Sequence, residues 1–392
     1  MTEPNSAAPA QRPRAPAAPR PETQNDPRLT ALAASLPFAV PFVGPETQTR
    51  ARGRPFAARL GANESGFGPS PRAVAALQES AADAWMYGDS ESWDLRAALA
   101  EHHGVPMEAV IVGEGIDGLL GNLVRLFVAP GEAVVTSAGA YPTFNYHVAG
   151  FGGRLASVPY AGDHEDPEAL VAKAAEVGAK LVYLSNPDNP MGSWHGAGRI
   201  AAALDALPDH ALFVLDEAYA DFAPEEAIPE FDPADRRLIR MRTFSKAHGL
   251  AGLRVGYAIG HPDLIAAFHK VRNHFGMTRA GQAAALASLQ DPDHLAATVA
   301  KVAAARDEIG RIGADAGLAA LPSATNFVAL DCGADGAFAR AVLAALTERD
   351  VFVRMPGVAP LDRCIRVSAG PEGDLAAFAR ALPAALAAAR GG

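Results

Sequence analysis

From about residue 105 the chain alternates short unbroken apolar runs with segments of helical spacing, and this pattern restricts the fold more than any other feature. AVIV (109–112) precedes a glycine-rich turn and then IDGLLGNLVRLF. EAVVTS (132–137) precedes YPTFNYHVAG. LASVPY, KLVYLS, ALFVLDEAY, LIRMRTFS and LRVGYAIG follow at intervals. A strand that is apolar along its whole length has no wet face, so both faces must be covered, and strands joined through helices run parallel. The expected class is α/β: a large domain with a mostly parallel sheet flanked by helices. Ligands of such sheets sit at the carboxyl ends of the strands, so the polar residues just after each run are the candidates for chemistry.

After about residue 265 the pattern changes. A long Ala-rich helical stretch over about 263–318 leads to TNFVALD, then to VFVRM (351–355) and CIRVS (364–368), which read as strands, and to a last helix in LAAFARALPAALAAA. These predict a smaller α+β C-terminal domain. The expected organisation is a disordered Pro/Ala-rich tail over 1–28 and an N-terminal arm over 29–70 that contributes to the small domain and the site entry. A large domain over 71–265 and a small closing domain over 266–392 complete it. The tail lacks the apolar block of a secretory signal, which predicts a cytoplasmic protein. No window approaches about 18 consecutive apolar residues, so no membrane span is expected. The formal charge of −10 repels phosphate backbones and argues against nucleic acid. Cys332 and Cys364 are too few for a disulfide scaffold, and no histidine shows metal-ligand spacing, so no metal is expected.

GEGIDG (113–118) matches G-x-G-x-x-G after a strand and ahead of a helix. A dinucleotide site also needs an acid about 20 positions on, at the end of the next strand. That strand ends in Thr136–Ser137, and Glu132 lies at its wrong end. Binding of a single phosphate at the helix N-terminus remains open, as does a tight turn with no ligand. Asp216 closes the run ALFVLD, where a carboxylate is costly to bury unless paired. Tyr219 follows three residues later. Lys246 lies in TFSKAHGLAGLR (243–254) with the small hydroxyls Thr243 and Ser245, two glycines and Arg254, a set able to hold a phosphate ester.

Together these segments resemble the fold-type I, class I/II pyridoxal 5'-phosphate aminotransferases, nearest the histidinol-phosphate aminotransferase branch. The resemblance runs from LGANESGFGPSP (60–71) to CIRVSAG (364–370) through YGD (87–89), the glycine turn, YPTF (141–144), SNPDNPMG (185–192), LDEAY (215–219), SKAHGLAGLR (245–254), TNFV (325–328) and IRVS (365–368). It implies pyridoxal 5'-phosphate as cofactor and transfer of an amino group between an amino acid and a 2-oxo acid such as 2-oxoglutarate. Lys246 would be the Schiff-base lysine and proton shuttle, with its pKa lowered by desolvation. Asp216 would keep the pyridine nitrogen protonated. Tyr219 and Asn189 would bond the ring 3'-oxygen, and Phe144 would stack on the ring. Gly115, Ile116, Asp117, Thr243, Ser245 and Arg254 would form the phosphate cup. Tyr87 would reach the phosphate in a neighbouring subunit, implying a homodimer with active sites at the interface. Arg366 would clamp the substrate carboxylate, with Arg354 for a second anion and Asn63 and Phe67 on the substrate side.

The sequence departs from the family at NPDNPMG for NPNNPTG, ANESGFG for NENPYG, YGD for YPD, and RNHFGM (272–277), where Gly276 removes a polar side chain. The cofactor apparatus is kept while substrate-reading positions have moved, and a shared fold does not settle the substrate. Two alternatives share the scaffold. One is a lyase or decarboxylase that cleaves a different bond at the substrate α-carbon. The other is a non-catalytic cofactor-binding module, which would want a basic domain in front.

Overall fold

A computed structural model describes residues 28–37 and 42–391. All but the last residue of the expected tail lie outside these. The described residues up to Pro55 form a separate unit with helices Ala31–Ser35 and Pro45–Arg52. The unit from Phe56 onward carries everything below.

Seven strands form the main sheet: β1 Val110–Gly113, β2 Ala133–Ser137, β3 Arg154–Val158, β4 Leu181–Ser185, β5 Leu212–Asp216, β6 Leu238–Thr243 and β7 Gly256–Gly260. Their spatial order is β1-β7-β6-β5-β4-β2-β3. Strand β7 runs antiparallel to both neighbours; every other pairing is parallel. The apolar runs are buried on both faces, as their unbroken character requires. Tyr183, Val214, Ile239 and Met241 join helices α1 (Gly115–Phe127) and α2 (Pro142–Gly150) on one face. The alternating residues Val182, Leu184, Phe213 and Leu215 meet Leu170, Val171, Ile200 and Ala203 on the other.

The C-terminal part has its own core. Strands β8 (Phe327–Asp331) and β9 (Cys364–Ser368) pair antiparallel and pack on helices α3 (Pro292–Asp315), α4 (Gly336–Glu348) and α5 (Glu372–Arg390). Leu60, Tyr219 and Ala247 belong to the same apolar cluster, so the core of this part reaches the end of the main sheet. The expected continuous helical stretch over 263–318 is corrected to three helices, Pro262–Ala267, Arg279–Leu289 and α3. Thr278 and Asp291 act as N-caps, and Pro262 and Pro292 each start a new helix because proline lacks the N–H an interior position needs. VFVRM is strand only at Val351–Phe352, which pairs parallel with Ala58–Arg59. Its Arg354 makes an isolated antiparallel bridge to Arg366.

Phe213 is fully buried in a central strand. Phe213→Ala is expected to lower the unfolding free energy by about 3–5 kcal/mol in denaturant titrations. A loss below about 1 kcal/mol would mean that the ring is not packed as described.

Candidate active site

The candidate residues gather where β4, β5 and β6 end and where the antiparallel β7 begins. Asp216 is the last residue of β5 and is buried. It accepts hydrogen bonds from the Tyr183 hydroxyl (2.6 Å) and the Ala218 N–H (2.9 Å). It makes no ion pair among the described residues. Burial pushes its carboxyl up to about 6, against the pull of these two donors, and the negative charges of Asp117 and Glu217 push the same way. A buried carboxylate with no cation suits a ligand that brings a protonated ring nitrogen.

Lys246 is half-buried, and its Nζ donates to the Asn63 carbonyl (3.1 Å) and lies 5.5 Å from the centre of the Tyr219 ring. Asn63 ties several segments together. Its backbone is left-handed, at φ 55°. Its Nδ2 donates to Tyr219 Oη (3.0 Å), its Oδ1 accepts from Ser368 Oγ (2.9 Å), and its carbonyl also accepts from Asn326 Nδ2 (3.0 Å). Asn63, expected only on the substrate side, thus holds Tyr219 through its side chain and Lys246 through its carbonyl.

A cradle for an anion lies at the start of α1. Gly115 has φ 73°, and a Cβ there would collide with the Arg254 guanidinium. Gly256 of β7 presses on the same turn, since a Cβ would come within 2.8 Å of the Gly115 carbonyl carbon and the Ile116 nitrogen. The first N–H groups of this helix lack intrahelical partners and its dipole favours negative charge. Arg254, itself left-handed at φ 55°, donates to Ser245 Oγ (3.3 Å) and lies 3.7 Å from Asp117. Glycine, hydroxyl, guanidinium and helix N-terminus together fit a phosphate ester. Thr243 is corrected in role. Its hydroxyl donates to the Val255 carbonyl (3.3 Å) and accepts from the Ser245 N–H (3.0 Å), so it braces the turn that presents Ser245.

Phe144 is a correction. It is 0% exposed without any cofactor atoms present and stacks on Tyr183 at 4.5 Å, so protein atoms already cover it. Tyr141 is the aromatic residue at the site. It caps α2, and its hydroxyl donates to Asp117 (2.9 Å). Burial raises its pKa, helped by the Asp117 charge. Pro142 at the first helical position signals this placement, because the helix starts after Tyr141 and turns residue 144 down onto the sheet.

Arg366 lies in β9. Its Nη1 donates to Asn189 Oδ1, its Nη2 donates to the Gly61 carbonyl (3.4 Å), and its buried Nε has no partner. Burial lowers its pKa, and the nearby Arg354 charge does so as well. Arg354 sits directly across the bridge, which places two cations side by side. Phe67 is half-buried against the C-terminal core, and Tyr87 is 75% exposed against Phe275, apart from this cluster. The space opened at Gly276 is filled by the Glu114 carboxylate, which also packs on Gly118. Sequence reasoning missed Tyr183, Tyr141 and the Glu217 ion pairs with Arg240 and Arg242 (2.9 Å to the latter). Only the YPTF motif carried a signal for any of these. Among the described residues no group of three or more His, Cys, Asp or Glu could hold a metal, and no helix is long and apolar enough to cross a membrane.

The raised Asp216 pKa sets a sign. Below its unfolded value the carboxyl is neutral in both states. As pH rises toward about 6 the unfolded chain ionises first, and folded stability declines. Without cofactor, Asp216→Asn is expected to gain up to about 3 kcal/mol relative to wild type between about pH 4 and 7, measured by denaturation at stepped pH. A pH-independent difference would contradict this.

The sequence pattern of the family described as Aminotransferase class I and II matches residues 58–382. A histidinol-phosphate aminotransferase of Roseiflexus castenholzii is 36% identical over 351 residues, covering 87% of this chain and 93% of that protein. An aromatic amino acid aminotransferase of Nocardia farcinica is 38% identical over 296 residues, covering 74% and 82%. The crystal structure of histidinol-phosphate aminotransferase from Sinorhizobium meliloti in complex with pyridoxal-5'-phosphate superposes with a TM-score of 0.89 at 54% identity, covering 92% of this chain and 98% of that one.

Proposed function

The chain belongs to the class I and II aminotransferases, and we propose on that premise how its residues move an amino group between an amino acid, or an amine such as histidinol phosphate, and a 2-oxo acid such as 2-oxoglutarate. The observation that carries the reading is the meeting of Lys246, a cation-free Asp216 and Arg366 at one end of the sheet. The cofactor is pyridoxal 5'-phosphate; when bound it supplies an aldehyde for an amine and an electron-withdrawing ring.

Asp216 would hold the proton on the ring nitrogen, and Tyr183 keeps the carboxylate aimed. Tyr219 and Asn189 would bond the ring oxygen, and Tyr141 would contact the ring. The N–H groups at Gly115 and Ile116, with Ser245 and Arg254, hold the phosphate, and Asp117 orients Tyr141 and Arg254. Lys246 takes the proton from the substrate α-carbon on Nζ and returns it on the same side, at the position that Asn63 sets. Arg366 meets the substrate carboxylate with a planar fork steadied by Asn189. Arg354 beside it suits a substrate with a second anion, which a phosphorylated amine and 2-oxoglutarate both carry. That feature, with the names of the relatives from Roseiflexus and Sinorhizobium, favours a histidinol phosphate-like donor.

On this reading the part over 71–265 carries the cofactor and the part from 266 closes on the substrate. Tyr87, Trp85 and Phe275 are 75%, 81% and 52% exposed. The exposed Tyr87–Phe275 pair, with Trp85 two residues before Tyr87 in the chain, suits an interface, and the second copy would take Tyr87 into its phosphate site. Both cysteines are buried free thiols, as in a cytoplasmic protein.

Lys246→Ala is expected to abolish the visible absorbance that forms with pyridoxal phosphate and to lower turnover by about 10³-fold or more. Turnover at the wild-type rate would remove the lysine from the mechanism. Arg366→Ala is expected to raise KM about 10- to 100-fold for every amino donor and 2-oxo acid tested. An effect confined to one substrate would instead assign it to side-chain reading. A donor panel of histidinol phosphate, Phe, Tyr and Leu against 2-oxoglutarate tests the substrate, and sedimentation at twice 40.6 kDa tests the dimer.

A further inference from the structure

Behind Asn189 lie two carboxyl groups that the reaction described above does not use. Glu165 precedes the helix Pro167–Val177, and Asp188 lies in the loop that follows β4. They are 1% and 2% exposed, and their side chains are near enough to act on one another's ionisation. Asp188 Oδ1 accepts from the Tyr160 hydroxyl (2.9 Å) and Oδ2 from the Met191 N–H (3.0 Å). Glu165 Oε1 accepts from the Ser185 N–H (2.9 Å), while its Oε2 has no partner. The Ser137 hydroxyl is near enough to Glu165 to favour its ionised form, although it makes no well-formed hydrogen bond.

Ionised carboxylates only accept. Two of them close together in the interior would repel, and the Ser137 hydroxyl is the one further donor near Glu165 among the described residues. One proton removes the repulsion. Asp188 already receives two donors, and the Arg366 charge favours its ionised form, so the proton rests on Glu165. The negative charge of Asp216 also favours a proton on Glu165; Tyr160 and Tyr183, the other titratable neighbours, are neutral phenols. Burial pushes Asp188 up to about 7 and holds Glu165 well above the usual carboxylate range.

The bond has a mechanical consequence. The Asp188 N–H donates to the Ser193 carbonyl (2.8 Å), and the Gly192 N–H donates to the Asp188 carbonyl (3.1 Å). Asp188 is therefore the centre of the 186–193 loop, and the residue after it is the one that receives Arg366. We propose that Glu165 Oε2 donates a single shared proton to the Asp188 carboxylate, and that this bond is a positioning device that holds Asn189 against Arg366 and so sets the geometry of the substrate-carboxylate clamp. The proposal rests on the aminotransferase reading for its functional half only. NPDNPMG, with an acid where the family usually has asparagine, is the sequence trace of it.

The test uses the holoenzyme and two variants. Glu165→Gln keeps a permanent N–H donor toward Asp188 and a carbonyl for Ser185; Glu165→Leu removes both. The infrared difference between wild type and Glu165→Gln at neutral pH is expected to show the C=O stretch of a neutral carboxylic acid, shifted in D2O. If only carboxylate bands appear, there is no shared proton. Glu165→Leu is expected to raise KM for both amino donor and 2-oxo acid about tenfold, with kcat changed less than about threefold, and Glu165→Gln to stay within about twofold of wild type. Wild-type KM should also rise at alkaline pH in a step that Glu165→Gln lacks. A loss confined to kcat, or Glu165→Gln as impaired as Glu165→Leu, would overturn the positioning role. The infrared result reads the proton whether or not the chain transaminates, so failure of the functional reading and failure of this proposal give different outcomes.

Discussion

A carboxylate held in the interior at the end of the central strand, with no cation beside it, is the constraint around which this molecule is arranged. Asp216 would be expelled to solvent or neutralised in most proteins. Here the Tyr183 hydroxyl and the Ala218 N–H hold it in place, and its charge is left for a ligand to meet. The next residue, Glu217, is equally buried but is answered by Arg240 and Arg242. Those cations keep its carboxyl low despite burial, whereas Asp216 is pushed up. Two adjacent acids at the same strand end thus have opposite electrostatic environments, one answered by two cations and one by neutral donors.

The second organising element is Asn63. Its side chain and carbonyl tie the segment after Phe56 to Tyr219, Lys246, Asn326 and Ser368. These come from the end of the main sheet, from the glycine-bounded turn and from the C-terminal strands. One left-handed asparagine therefore brings the amine, the phenol and the strand that carries Arg366 into a single network. Such a network is stable only when each member is satisfied, which makes its geometry well defined.

Much of this was legible in the chain. The unbroken apolar runs specify a buried parallel sheet, because a strand with no polar face cannot border water. The order of the motifs identifies the family and proposes Lys246, Asp216, Asn189, Arg254 and Arg366 for the site. Less legible were the residues whose placement depends on where a helix begins. Phe144 and Tyr141 share one motif, yet one is core and the other is at the site, because a helix that starts at Pro142 divides them. The Ala-rich stretch looked continuous because alanine marks no boundary; the breaks come from Pro292 and the caps Thr278 and Asp291. Thr243 has the composition of a phosphate ligand but a hydroxyl already used within its own turn.

By itself the sequence determined the class of fold and the family, and it singled out an amine, an acid and a guanidinium as candidates for the site. These follow from periodicity and from the chemistry of residue types, both of which are local properties. The tertiary structure alone decided which partners each group has: Tyr183 on Asp216, Asn63 on Lys246, Glu165 on Asp188, and Glu114 in the space at Gly276. Those contacts join residues tens to hundreds of positions apart. Their energies depend on burial and on which donors reach which acceptors, and that is fixed only when the strands and helices are packed together.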